Sequence, residues 1–325
     1  MAGKPFRSIL VCIEFPAAKR QPVLRRAVEV ARRTGARLVL FHSAFSQLAV
    51  GPRFQDAVNR ETARQRASEA RALRDMAGQL RADGLRATVK SAWDYPPHEA
   101  IVREVLRSKP DLVVAGSRHH APGARMFLAN TDWQLIRQCP VPLLFVKRER
   151  QAGKARVLAA IDPMHRHARP SQLDRRILAA GAAMSAALGG RLDVVHAHVP
   201  LYAYMPEIYG DVFMMTANPE LEQRYLGEAQ RAVERLATEF EIPRRRLHVE
   251  TGSPGSVLPE MARRLRSSLI VMGAVSRSGL RRLFIGSTAE RTLDHLPCDL
   301  LVIKPRGFRT TVPRRPPAVP GAVPL

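Results

Sequence analysis

The chain is expected to fold as α/β, in two tandem domains that are each a doubly wound, five-stranded parallel sheet. Three observations predict this. The sequence repeats itself: SILVCIEF (8–15) returns as RVLAAIDP (156–163), RLVLFHSA (37–44) as RLDVVHAH (191–198), DLVVAGS (111–117) as SLIVMGA (268–274), and PLLFVK (142–147) as DLLVIK (299–304). The separation between matched residues grows slowly and then holds, as in a duplicated domain with a few insertions rather than a short-period solenoid. Short apolar runs also alternate with helix-period segments, and near-continuous apolar strands of this kind indicate a parallel sheet covered on both faces. Finally, 325 residues are long for one core and comfortable for two.

In chain order, the first half predicts strands at 8–14, 37–43, 86–92, 111–116 and 142–147. Helices at 22–34, 53–82, 97–108 and 130–138 lie between them. Gly84, just past the second helix, is its stop signal. The second half predicts strands at 155–161, 191–197, 246–251, 268–274 and 299–304, with helices at 171–188, 218–240, 255–266 and 287–295. KRERQAGKA (147–155) is a short polar join. The domain boundaries are therefore placed at 1–150 and 151–306, and the Pro-rich, aperiodic tail 307–325 is expected to be disordered. Right-handed crossovers in such Rossmann-like sheets put the ligand crevice at the strand C-termini, where the winding reverses.

Hydrophobic content of 46% and charged content of 25% are ordinary for a folded soluble protein. The net charge of +23 raises the question of a polyanionic partner. The basic residues are spread along nearly every helix, so a compositional bias toward Arg is the preferred explanation and a specific nucleic-acid partner is not expected. Cys12, Cys139 and Cys298 are isolated, which points to reduced thiols rather than a disulfide framework. No signal peptide is evident and no run reaches the ~18 apolar residues of a membrane span, so a cytoplasmic location is expected.

The order of elements, together with MGAVSRSGLRRLFIGSTAE (272–290), resembles the universal stress protein family, whose ATP-binding members carry G-x2-G-x9-G-[ST] after the fourth strand. WDYPPHEAI (93–101), TDWQLIRQCP (131–140) and CDLLVIKP (298–305) add to the likeness, which covers about residues 5 to 306. The resemblance implies an adenine nucleotide α hydrolase-like fold and a cytoplasmic stress-response protein, a regulator rather than an enzyme, with a role in survival after DNA damage. It implies ATP with Mg as the ligand. The last strand of each copy is a sheet edge, and two such edges facing each other across a twofold axis would protect both, so an internal pseudo-dimer of the two copies is expected, with homodimerisation of the whole chain a further option.

A loop of this composition suits phosphate, because a helix N-terminus exposes unpaired N–H groups and glycine lets the backbone approach an anion. The nucleotide-binding set is Asp162, Gly273, Ser276, Arg277, Gly286, Ser287 and Thr288, with Arg281 and Arg282 as further phosphate partners. Asp162 and its counterpart Glu14 stand where family members direct an acid toward the nucleoside; capping the following helix is the alternative role. Ser276 replaces the middle glycine of the motif, at a cost of roughly 1–2 kcal/mol if that position needs positive φ. The first half departs further: GSRHHAPGARMFLANTD (116–132) keeps Gly116 but has His119 for the middle glycine and Ala129-Asn130 for Gly-Ser. Binding is therefore expected in the second copy.

Two other features bear on function. His165, His167, His196 and His198 fall at adjacent strand ends, yet local hydrogen bonding is preferred over metal, and no metal site is assigned. VPLYAYMPEIYGDVFMM (199–215) is rich in aromatics and methionines. It reads either as a packed interface, including one for an unidentified regulatory protein, or as the wall of a pocket for a hydrophobic small ligand. No G-x-S-x-G elbow and no Ser/His/Asp or Cys/His set is present, so no catalytic residue is assigned. Two alternative functions stay open at this stage: a partner- or hydrophobic-ligand-binding protein using 199–215, and a basic protein associated with nucleic acid.

Overall fold

A computed structural model describes residues 6–44, 52–116, 129–147, 154–164, 171–204, 219–274 and 296–316. The chain divides into two compact units, one of Phe6–Val146 with the segment from Phe308 onward, the other containing Lys147–Gly307.

The first unit follows the order β1 (Ser8–Cys12), α1 (Pro22–Thr34), β2 (Arg37–Ala44), α2 (Pro52–Ala82), β3 (Ala87–Trp93), α3 (Pro97–Ser108), β4 (Leu112–Gly116), α4 (Ala129–Gln138) and β5 (Leu143–Val146). Its strands lie side by side as β3-β2-β1-β4-β5, all parallel. The apolar runs make the core: Ile9, Leu10, Leu38, Leu40, Leu112 and Leu144 are fully enclosed. Sequence chemistry marks the helix ends. Pro22 opens α1, where its missing N–H costs nothing, and Gly35 closes it at φ 68°, donating its N–H to the Ala31 carbonyl.

The second unit repeats the plan with β6 (Arg156–Ala160), α5 (Ser171–Ala187), β7 (Arg191–His198), α6 (Pro219–Thr238), β8 (Leu247–Thr251), α7 (Pro254–Arg264), β9 (Leu269–Gly273) and β10 (Asp299–Ile303). The strand order is β10-β9-β6-β7-β8, again parallel. Read from β8 to β10, this is the order of the first unit, position for position. Ser253 caps α7, its side chain accepting from the Ser256 N–H at 3.3 Å. The helix expected at 287–295 lies outside the described residues.

One expectation is corrected. The tail expected to be disordered is described as far as Pro316, and that stretch packs on the first unit. Val312 is buried. The Gln138 side-chain oxygen accepts from the Thr310 hydroxyl at 3.1 Å and from the Thr311 N–H at 3.3 Å. Arg103, itself buried, donates to the Pro313 carbonyl at 3.2 Å. Proline richness removes periodicity without removing polar anchors, so composition alone misleads for this segment.

Candidate strand-end site

In each unit the strand order reverses beside the first strand, so the crevice opens between β1 and β4 or between β6 and β9. In the second unit, Ala159 pairs with Val271. Continuing that register brings Gly273 level with Ile161 and sets Asp162 at the same height as Ala274. Two of the expected site residues, Asp162 and Gly273, therefore meet across the switch point. Ser276, Arg277, Gly286, Ser287 and Thr288 lie outside the described residues, as do Arg281, Arg282 and most of the first-half loop.

Asp162 is exposed, while its backbone N–H donates to the Asp174 carboxylate at 3.1 Å. Asp174, buried in the first turn of α5, tethers the Asp162 backbone and leaves the Asp162 carboxylate facing outward. No sequence motif flags Asp174. Its signal is only an acid in a first turn, where the helix dipole favours negative charge. An outward carboxylate at this spot fits a ribose or base hydroxyl or amine.

Gly273 has a packing reason for being glycine. A Cβ there would lie 2.7 Å from Leu173 Cδ2 and 3.2 Å from Ile177 Cδ1, both on α5. At Gly116, the first-unit counterpart, the nearest atom to such a Cβ would be Val23 Cγ2 at 3.3 Å.

The two described strand-end histidines of the second unit, His196 and His198, make local hydrogen bonds. His196 Nδ1 donates to the Ile161 carbonyl at 3.1 Å, fixing the residue just before Asp162. Burial holds the His196 pKa below its ordinary value; the Ile161 bond and the Asp162 charge oppose that shift without overcoming it. His198 donates Nε2–H to Glu222 at 2.9 Å, and the same carboxylate accepts the Leu201 N–H at 3.0 Å. Glu222, on α6, thereby pins the start of the 199–215 segment. Only residues 199–204 of that segment are described, including a 3-10 turn at Leu201–Tyr204. In the first unit His42 makes the matching bond to the Ile13 carbonyl at 2.8 Å, and its Nε2 faces Glu69 at 3.2 Å.

No group of three or more His, Cys, Asp or Glu among the described residues is arranged to hold a metal; His165 and His167 lie outside the described residues. Burial, with Cys139 nearby, pushes the Cys12 thiol up, so it stays protonated at neutral pH. No helix among the described residues is long and apolar enough to cross a membrane.

Comparison with known proteins matches this duplicated plan. The family described as Universal stress protein family fits residues 5–147 and again 155–304. Universal stress protein E of Salmonella typhi is 30% identical over 322 residues, covering 94% of this chain and 97% of that protein. Among solved structures, a functionally unknown protein from Pseudomonas aeruginosa PAO1 superposes with a TM-score of 0.68 at 26% identity, over 93% of this chain and 94% of that one. A universal stress protein from Archaeoglobus fulgidus DSM 4304 shares the fold, with a TM-score of 0.62 at 18% identity over 94% and 97% of the two chains.

Proposed function

The chain belongs to the universal stress protein family, and from that premise we propose that it is a cytoplasmic, non-catalytic regulator of the stress response whose second copy binds ATP with Mg, or a related nucleotide. The observation that carries the reading is the pairing of an outward Asp162 carboxylate with the Gly273 strand end at the winding reversal of the second unit. Asp162 would hold the nucleoside. Gly286, Ser287 and Thr288 would offer N–H groups and hydroxyls to the phosphates, and Arg277 would neutralise their charge. Supporting a binding rather than a catalytic role, His42 and His196 are committed to backbone carbonyls and the Cys12 thiol is held neutral.

Bound nucleotide would order the loop after Ala274 and change the surface offered to a protein partner. The switch works only to the extent that the ligand prefers one loop state. A contribution to survival after DNA damage is part of this reading. The test is thermal unfolding against ATP-Mg. Mass action raises the melting temperature with ligand concentration; Asp162→Ala should blunt the rise and Ser276→Gly should enlarge it. Unchanged melting at millimolar ATP-Mg would defeat the reading.

A further inference from the structure

Basic residues that look scattered in the sequence are gathered by the fold. In a parallel α/β unit every strand begins, and every intervening helix ends, on the face opposite the crevice. In the second unit β6 and β7 begin side by side with Arg156 against Arg191. Arg156 also donates to the Leu265 carbonyl at 2.8 Å, which brings the end of α7, with Arg263 and Arg266, against the same edge. Val194 pairs with Leu247, so Arg246, just before β8, stands level with Asp193 near the start of β7. Arg245 precedes it. Arg245, Arg263 and Arg266 are exposed, and none has an ion-pair partner among the described residues.

Most acids on this side are already engaged. Glu234 holds Arg244 at 2.8 Å, Glu239 holds Arg175 at 2.7 Å, Glu250 holds Arg264, and Asp193 lies 3.5 Å from Arg191. That leaves Glu241, and Glu260 one turn before Arg263, against Arg245, Arg246, Arg263 and Arg266. A cation near a helix C-terminus gains a little from the helix dipole, which accounts for Arg263. It does not account for Arg245 and Arg246 at a strand start, or for Arg266 beyond the helix end.

We infer that this strand-start face of the second unit binds the phosphate backbone of duplex nucleic acid, without reading its sequence. Guanidinium forks suit phosphate oxygens better than point charges do. The large exposed hydrophobic side chains among the described residues are Phe15, Trp93, Tyr95 and Leu221. The first three belong to the first unit, and Leu221 is in the first turn of α6, at the far end from these arginines. Among the described residues the face therefore lacks the apolar wedge that a membrane surface would take and the aromatic platforms on which single strands stack. It lies at the opposite ends of the strands from Asp162, so the inference stands apart from nucleotide binding.

The experiment is fluorescence anisotropy of an arbitrary duplex of about 30 base pairs with the full chain, titrated with salt. The native chain should bind at low salt and weaken steeply as salt rises. Arg245→Glu with Arg263→Glu should weaken binding about tenfold or more and lower the log–log salt slope by about two, at roughly 0.9 for each phosphate no longer neutralised. Arg60→Glu with Arg74→Glu, on exposed α2 positions of the first unit, changes net charge equally and should change affinity far less; thermal melting of each variant confirms folding. Equal losses in the two variants, or no duplex binding by the native chain at low salt, would overturn the inference. So would unchanged duplex binding by the Arg245/Arg263 variant alongside its loss of binding to a polyglutamate peptide, which assigns the face to an acidic protein.

Discussion

In the first unit His42 joins three elements: its own strand β2, the Ile13 carbonyl beyond β1, and Glu69 on α2. In the second unit His196 keeps the strand-to-strand bond, but the helix carboxylate, Glu222, turns instead to His198 and the Leu201 N–H. The same scaffold bond is retained while the helix contact is redirected to the chain leaving β7. On the other side of the comparison, the first unit has Arg103 and the returning tail, while its loop sequence departs from the phosphate motif. Duplicated copies diverge where the side chains leave the sheet, and the sheet itself hardly changes.

Arg103 should give the largest effect. Its guanidinium is buried, bonded to both Asp94 oxygens at 2.6 and 2.8 Å, to Glu99, and to the Pro313 carbonyl. Arg103→Ala strands two carboxylates and should cost the first unit about 3–5 kcal/mol. Peptide-resolved hydrogen exchange should show the loss there and not in the second unit; equal loss in both would break the contrast. Deleting residues 308–325 should cost the first unit about 2 kcal/mol, through exposure around Val312 and the loss of the Gln138 bonds. Denaturant melts of the truncated chain check this.

The two glycines sharpen the comparison further. Gly273→Ala should destabilise its unit by about 1 kcal/mol or somewhat more, because Leu173 and Ile177 must move. Gly116→Ala meets only Val23 and should cost less than about 1 kcal/mol. Thermal melts of the two variants side by side check the order. The smallest effect concerns pH. Because the folded pKa of His196 is depressed, the unfolded chain takes up a proton first as pH falls below about 6.5, and stability is lost from there downward. The loss is at most about 1.4 kcal/mol per pH unit, and His196→Gln should remove this component when melts are compared at about pH 7.5 and 5.5.

Much of the fold is legible in the sequence because strand and helix periodicities are local. The predicted helices at 22–34 and 97–108 coincide with α1 and α3, and strand ends differ by a residue or two. The crevice is legible as well, since topology places Asp162 and Gly273 at the strand ends. What escapes a reading of the sequence depends on contacts between distant residues. Arg103 and Pro313 are 210 positions apart, and Glu222 reaches His198 across a helix and a strand end. Nothing in the local pattern distinguishes Asp174, which sets the Asp162 backbone, from any other acid in a first turn. The arginines of the strand-start face are far apart along the chain and look diffuse there; only the register of β6, β7 and β8 assembles them.

The return of the tail has a consequence for biosynthesis. The leading unit owns a stretch of polypeptide that the ribosome makes after the whole of the trailing one. During translation its five strands can assemble early, yet Arg103 waits without the carbonyl of Pro313 until that residue has been made. Completion of the leading unit therefore follows synthesis of the trailing one, and a nascent chain stalled before Pro313 would carry an unfinished leading domain beside a finished trailing one.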